Sequence, residues 1–153
     1  MSSPFQIFVD ADACPVKDEV YKVALRHEWP VSVVANSFMR VPAHRLLTRV
    51  MVPEGPDVAD DWIAERADAK SIVITSDILL AQRCLENGAR VLSPKRKAFT
   101  QNSIGSQVAT RAIMEGLRAT GEQTSGPAAF KPADRSNFLS ALEVEIQKLK
   151  RGR

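Results

Sequence analysis

The sequence predicts a single three-layer α/β domain, in which helices cover both faces of a mostly parallel sheet. Three observations predict this class. Short apolar runs alternate with segments of helical period through residues 1–95. The resulting β-α-β-β-α-β-α-β series favours parallel strands joined by helices. A length of 153 residues suits one domain of ordinary size. Residues 1–95 are therefore expected to form the α/β core, and residues 96–153 a helical C-terminal extension packed on it.

The elements of the core follow from apolar period and from turn residues. A first buried strand is predicted over Phe5–Val9 and ends at Asp10. Pro15 then stands where a first helical residue is favoured, and a helix follows over Val16–His27. The same patterns predict strands over Val31–Ala35, Leu47–Val52, Ser71–Thr75 and Arg90–Leu92, and helices over Val58–Ala67 and Asp77–Glu86.

The C-terminal extension contains two predicted helices. They cover Ser106–Ala119 and Asn137–Lys150, and a polar loop rich in Gly, Pro and Ser separates them over Gly121–Arg135. Neither helix is expected to be stable alone, so both are predicted to pack on the sheet.

Composition indicates a cytoplasmic protein without a membrane segment. No apolar run approaches the roughly 20 residues that span a bilayer, and the N-terminus lacks the pattern of a secretory signal. Two cysteines, Cys14 and Cys84, are too few for a disulfide framework. The net charge is +3, with aspartates gathered in the first half and basic clusters later. This separation suits a bound metal ion with a polyanion around it, although a solvated surface is the simpler explanation.

Aspartates follow the first and fourth predicted strands. Asp10 and Asp12 come after the first strand, and Asp77 comes just after the fourth. Ligands of open parallel sheets bind beyond the carboxyl ends of the strands, so these carboxylates converge if the two strands are neighbours. The helix that lies between these strands in sequence begins with three more acids, Asp57, Asp60 and Asp61. Their carboxylates can reach the same edge.

Several carboxylates a few Å apart resist joint ionisation, and a hard divalent cation removes that conflict. The cluster therefore predicts a Mg²⁺ or Mn²⁺ site, and such ions catalyse in-line phosphoryl displacement. Each aspartate also has a structural explanation. Asp57 and Asp77 stand at N-cap positions, Asp60 lies in a first turn, and Asp12 precedes a helix. Their gathering at one rim favours a site over coincidental caps.

Other polar and basic residues are candidates for substrate binding. The basic run of Lys95, Arg96 and Lys97 can position phosphates, and Phe99 beside it can stack on a base, although a basic surface with a core phenylalanine explains them equally well. Thr75 ends a predicted strand, Asn36 and Ser76 directly follow one, and all three are further candidates, with turn and capping roles as the alternative for Thr75 and Ser76.

Several motifs, taken in order, resemble the YaiI/YqxD family of bacterial proteins over nearly the whole chain. They are Asp10-Ala11-Asp12-Ala13-Cys14-Pro15-Val16, Val34-Ala35-Asn36, Asp57-Val58-Ala59-Asp60-Asp61-Trp62-Ile63 and Ile74-Thr75-Ser76-Asp77-Ile78-Leu79-Leu80-Ala81, followed by Met114, Leu117-Arg118, Gly126-Pro127 and Phe130. That family is similar in turn to PIN-like domains, which are typically metal-dependent ribonucleases with clustered acids. The resemblance implies that Asp10, Asp77 and the Asp57/Asp60 pair are the metal-binding acids. One departure is Lys95–Lys97, where a glycine-containing turn is expected after Pro94.

The leading hypothesis is therefore a Mg²⁺- or Mn²⁺-dependent ribonuclease. Asp10, Asp57, Asp60 and Asp77 would bind metal, and Asp12 would bind metal or orient water. A second hypothesis is a non-catalytic PIN-like module that binds nucleic acid or regulates. A third is a phosphatase with Asp10 as nucleophile, Asp12 as acid and base, and Thr75 or Ser76 on the phosphate. RNA is the expected partner, no membrane is expected, and a homo-oligomer stays open.

Overall fold

The computed structural model describes residues 5–11, 14–38, 40–55, 57–94, 98–99 and 132–151. In these residues a six-stranded sheet has the order β3-β2-β1-β4-β5-β6. Strands β1 to β5 are parallel, and only β6 runs antiparallel, against β5. The strands are β1 (Gln6–Asp10), β2 (Val31–Ala35), β3 (Leu47–Met51), β4 (Ser71–Ile74), β5 (Arg90–Leu92) and β6 (Ala98–Phe99). The predicted mostly parallel α/β fold is confirmed.

Four helices lie within the described residues and cover both faces of the sheet. They are α1 (Lys17–His27), α2 (Val58–Arg66), α3 (Ile78–Glu86) and α4 (Pro132–Lys150). None of the four is long and apolar enough to cross a membrane. Helices α1 and α4 share one apolar cluster with the sheet, in which Trp29, Phe138, Leu142 and Ile146 are buried. Helices α2 and α3 share the other, around Phe8, Ile63, Val73 and Leu80.

Strands β1 and β4 lie in the middle of the sheet, and their apolar side chains are buried on both of its faces. In β1, Ile7 and Val9 face the α1/α4 cluster, whereas Phe8 faces the α2/α3 cluster. Alternate side chains of a strand point to opposite faces. By this alternation Asp10 follows Phe8 toward the face that carries α2 and α3. The strand pattern therefore places the first acid beside the helices that carry the others.

The C-terminal helix begins earlier than predicted. It starts at Pro132 and not at Asn137, so the end of the predicted loop Gly121–Arg135 is helical. Proline is favoured in the first helical turn, where its missing N–H costs no hydrogen bond. Arg135 then donates to the carbonyl of Pro15 and to Glu19, both at 2.9 Å, and ties this first turn to α1. The predicted helix Ser106–Ala119 and the loop up to residue 131 lie outside the described residues.

Candidate functional site

The sheet reverses its winding between β1 and β4, and this is where the acids meet. Strand β1 pairs with β2 on one side and with β4 on the other. The condition for convergence of their acids, that the first and fourth strands are neighbours, is thereby met. Their carboxyl ends form the crevice in which α/β proteins bind ligands. Asp10 ends β1, and Asp77 lies just beyond β4.

Thr75 connects these two acids through one hydroxyl group. Its Oγ1 donates to Oδ2 of Asp10 at 2.8 Å, and it accepts from the backbone N–H of Asp77 at 3.0 Å. Thr75 is fully buried. A buried hydroxyl with both partners in place has few free rotamers, so it holds the Asp10 carboxylate against the start of α3. Its predicted contact with substrate stays a prediction, and in this structure its contacts are with the two acids.

Asp77 fulfils its predicted role as a helix cap. Its Oδ1 accepts from the backbone N–H groups of Leu79 and Leu80, at 2.9 and 3.2 Å. These bonds satisfy donors at the start of α3 that have no partner inside the helix. The same carboxylate is also within hydrogen-bonding reach of Asp60 on α2. Asp77 is thus both a cap and a member of the acid cluster.

Asp60 shows how tightly the acids are gathered. Burial raises its pKa to about 6, with further contributions from the negative charges of Asp77, Asp10 and Asp57. A carboxyl group with several negatively charged neighbours resists giving up its proton. Asp10, Asp60 and Asp77 come from three separate elements, so the fold itself creates this repulsion. We name Asp10, Asp57, Asp60 and Asp77 the acid cluster.

Asp57 and Asp61 begin α2 but differ in what their side chains do. Asp57 occupies the predicted N-cap position in a left-handed conformation, with φ of 65°, and its side chain makes no capping hydrogen bond. Aspartate tolerates this conformation better than most residues do. The carboxylate of Asp61 accepts from Nη1 of Arg83 at 2.7 Å. Asp61, an additional candidate, is therefore engaged with α3.

The acid cluster fits a hard cation by its donor chemistry. All four members offer carboxylate oxygens, which Mg²⁺ and Mn²⁺ prefer. Burial first, and then the charges of the neighbouring acids, raise the pKa of Asp60, and a cation would relieve the repulsion between these carboxylates. As the described residues stand, no group of three or more His, Cys, Asp or Glu side chains is arranged to hold a metal ion. Mg²⁺ usually keeps several waters and takes only one or two protein carboxylates, so the Asp60–Asp77 pair meets that smaller requirement.

The remaining predicted residues divide into two groups. Asn36 and Ser76 are exposed at the carboxyl ends of β2 and β4, on the same rim as the acid cluster. Asp12 and the basic run of Lys95, Arg96 and Lys97 lie outside the described residues, so their roles stay predictions.

Cys14 lies close to Asp10 in sequence but is buried, and this burial raises the pKa of its thiol. A protonated, buried thiol is a poor nucleophile. The thiol therefore does not add to the chemistry of this rim.

Two features of the rim were not predicted from the sequence. One is the bond from Thr75 to Asp10, which depends on a side-chain rotamer and leaves no sequence signal. The other is the stacking of Arg49 on Phe38, with the guanidinium carbon 4.4 Å from the ring centroid. A signal for the second exists: residues 36–52 contain three arginines and no acidic residue.

Comparisons with known proteins agree on one family. The profile described as "Uncharacterized BCR, YaiI/YqxD family" matches residues 8–148. A UPF0178 protein of Sphingopyxis alaskensis is 58% identical over 153 residues, which cover 99% of each chain. One of Rhodopseudomonas palustris (strain BisB5) is 56% identical over 151 residues, covering 99% of this chain and 92% of the relative. No solved structure matches. The chain belongs to the YaiI/YqxD family.

Proposed function

We propose that this protein is a Mg²⁺- or Mn²⁺-dependent ribonuclease whose acid cluster holds the metal. The observation that carries the proposal is the convergence of Asp10, Asp60 and Asp77 at the switch point of the sheet, where burial and the neighbouring carboxylates together raise the pKa of Asp60 to about 6. Such perturbed groups in a crevice are typical of functional sites. The resemblance to PIN-like domains supports RNA as the substrate.

Each residue has a distinct role in this proposal. Asp10, Asp60 and Asp77, with Asp57 at the rim, would hold the metal, which when bound supplies an activated water and neutralises charge on the phosphate. Thr75 fixes the rotamer of Asp10 through its 2.8 Å hydrogen bond. Asp12 would bind metal or orient the water, and Lys95, Arg96 and Lys97 would hold phosphates without reading bases. Asn36 and Ser76, which are exposed on the rim, would contact the substrate.

A non-catalytic nucleic-acid-binding module is the second candidate. Two members of the cluster have structural partners: Asp77 caps α3, and Asp10 accepts from Thr75. No group of three described side chains is arranged to hold an ion. In the phosphatase alternative, Ser76 would bind the phosphate, because the hydroxyl of Thr75 is already engaged with Asp10 and Asp77.

The first test needs no knowledge of the substrate. The melting temperature of the wild type is measured in EDTA, Mg²⁺ and Mn²⁺, beside that of Asp10→Asn. A ligand that binds only the folded state stabilises by mass action, by about 2.7 kcal/mol at 100 times its Kd. We expect Mn²⁺ to raise the melting temperature of the wild type and not of Asp10→Asn. Asp61→Asn is the matched control, because its carboxylate lies on Arg83 and it should keep the metal response.

The second step is cleavage of labelled RNA by the same three proteins. Metal-dependent cleavage by the wild type and Asp61→Asn, absent in Asp10→Asn and in EDTA, supports the ribonuclease. Cleavage that survives in Asp10→Asn contradicts the assignment of the site. RNA binding that persists in EDTA, with no metal response and no cleavage, selects the non-catalytic module.

A further inference from the structure

An aromatic and cationic surface lies on the edge strand β3, at the same end of the sheet as the acid cluster. Strand β3 is the last strand on its side of the described sheet. Phe38 is 70% exposed and Met51 is 58% exposed. The guanidinium of Arg49 lies 4.4 Å from the centroid of the Phe38 ring. We name Phe38, Arg49 and Met51 the edge surface.

An exposed phenylalanine alone indicates nothing, because single apolar side chains are common on protein surfaces. Here it is joined by charge. The segment from Asn36 to Val52 contains three arginines and no acidic residue. Arg40, Arg45 and Arg49 are all exposed, and among ion pairs between described residues only one involves any of them, that of Arg45 with Glu28 at 4.0 Å. The segment therefore presents positive charge around an exposed ring.

This combination matches one class of ligand. Proteins that bind single-stranded nucleic acid use cationic surfaces for the phosphates and aromatic or guanidinium planes for the bases. The ring of Phe38 offers such a plane, and Arg49 already stacks on part of it. Duplex bases are stacked on each other and do not present their faces, so a stacking plane selects an unpaired strand.

The register of the sheet relates this surface to the acid cluster. Asp10 pairs with Val34, and Val34 pairs with Val50, so Val50 is level with Asp10. Two strand spacings separate them, or about 10 Å. Arg49 pairs with Val33, whose side chain packs on the α1 side, whereas α2 and α3 lie on the other side. A nucleic-acid strand that contacted both the edge surface and the acid cluster would cross the rim at Asn36. This residue follows β2, which lies between β3 and β1.

We infer that the edge surface binds single-stranded nucleic acid by base stacking on Phe38 and Arg49, and that it delivers the strand across the rim to the acid cluster. The delivery step rests on the proposed function, but the binding does not. Binding therefore has to be measured without cleavage.

The test is fluorescence anisotropy in EDTA with a labelled single-stranded RNA of about 12 nucleotides, a length within the range that single OB-fold domains cover. A fully paired duplex of the same sequence is the second probe. We expect Phe38→Ala to weaken single-strand binding at least about fivefold, which corresponds to 1 kcal/mol for one lost stacking contact. Arg49→Ala should do the same. The wild type should bind the duplex more weakly, and Phe38→Ala should change that binding little.

Two controls match these changes in chemistry. Arg66→Ala removes the guanidinium that stacks on Trp62 at 4.0 Å, away from the edge surface. Val144→Ala trims another exposed apolar side chain, on α4. Both should bind RNA like the wild type. All variants change exposed side chains, and an unchanged melting temperature verifies their folding.

Wild-type affinity in both Phe38→Ala and Arg49→Ala would overturn the inference, as would equal losses in the two controls. A change of oligomeric state in Phe38→Ala with unaltered RNA binding would instead assign the surface to contact between copies, and would also overturn it. The proposed function fails separately. If RNA binding depends on Phe38 but no RNA is cleaved, the proposed function fails and this inference stands. If the wild type cleaves RNA with metal and Phe38→Ala binds RNA with unchanged affinity, only this inference fails.

Discussion

The ionised carboxylate of Asp60 is destabilised by the place that the fold gives it. In the metal-free protein, burial and the charges of Asp77, Asp10 and Asp57 raise its pKa from 3.8 to about 6. The folded state therefore holds this proton more tightly than the unfolded chain does. The contribution of this proton to the free energy of unfolding is fully present below pH 3.8 and is lost as the pH rises through about 6.

This linkage predicts the behaviour of Asp60→Asn. In EDTA, the variant should match the wild type near pH 4 and become the more stable protein above pH 6, because its amide has no charge to bury. A pKa rise of this size is worth at most about 3 kcal/mol, and solvent screening of a partly exposed carboxyl leaves less. Urea titrations of both proteins between pH 4 and 8 measure the difference. A difference that does not change with pH would contradict the close approach of Asp60 to its acidic neighbours.

At the scale of elements, α4 forms much of one core layer. Phe138, Leu142 and Ile146 are fully buried against α1 and the sheet. Polar bonds fix the orientation of the helix, because Glu143 accepts from Arg26 at 2.6 Å and contacts Nε2 of His27 at 2.9 Å. Hydrogen bonds from Gln147, His27 and Arg26 lower the pKa of Glu143 to about 2. The helix is therefore an integral layer of the fold.

A pair of truncations on α4 tests its share in stability. Leu142→Ala should lower the free energy of unfolding by about 2–5 kcal/mol, the usual cost of a core cavity. Val144→Ala, at a site that is 50% exposed, should change it by less than about 0.5 kcal/mol. Urea denaturation followed by circular dichroism gives both values. Equal, small effects would mean that α4 does not unfold together with the sheet.

The elements that the sequence did and did not predict differ in the signal they carry. Strands such as β2 and β4 are short, largely buried and mostly apolar runs, and the turns that bound them are visible in the sequence. The first turn of α4 is largely exposed and has no apolar period, so the sequence does not distinguish Pro132 from the loop before it. Strand β6 has two residues, too few for any period, and it depends on pairing with β5.

The candidate site follows the same division. The neighbouring position of β1 and β4 makes the convergence of Asp10 and Asp77 predictable, because topology alone fixes it. The contacts of Thr75 and Asp61 are set by side-chain rotamers and by the distance between α2 and α3. Local sequence does not encode either quantity. The stacking of Arg49 on Phe38 likewise depends on how the loop after β2 folds back onto β3.

At the scale of the whole molecule, each core layer contains one cysteine. Cys14 lies in the α1/α4 cluster and Cys84 in the α2/α3 cluster. Both thiols are buried, and burial raises the pKa of Cys14 and raises that of Cys84 to about 12. The two side chains are thus natural reporters for the two sides of the sheet.

We expect neither thiol to react with Ellman's reagent at pH 8 in the native protein, because the thiolate form and access are both suppressed. The urea-unfolded chain should show two reactive thiols, the number in the sequence. If the domain opens as one cooperative unit, native-state labelling should show both thiols at one slow rate. A first thiol that reacts much faster than the second would show that one layer opens without the other.

The left-handed turn at Asp57 and the crowded carboxylate of Asp60 have a consequence for inheritance. Both positions favour other residues if only folding matters: glycine relaxes a positive φ, and an amide at position 60 removes the buried charge. Selection for folding alone would therefore not retain either acid. Persistence of both aspartates in a lineage would measure selection for the chemistry of the rim and not for the fold.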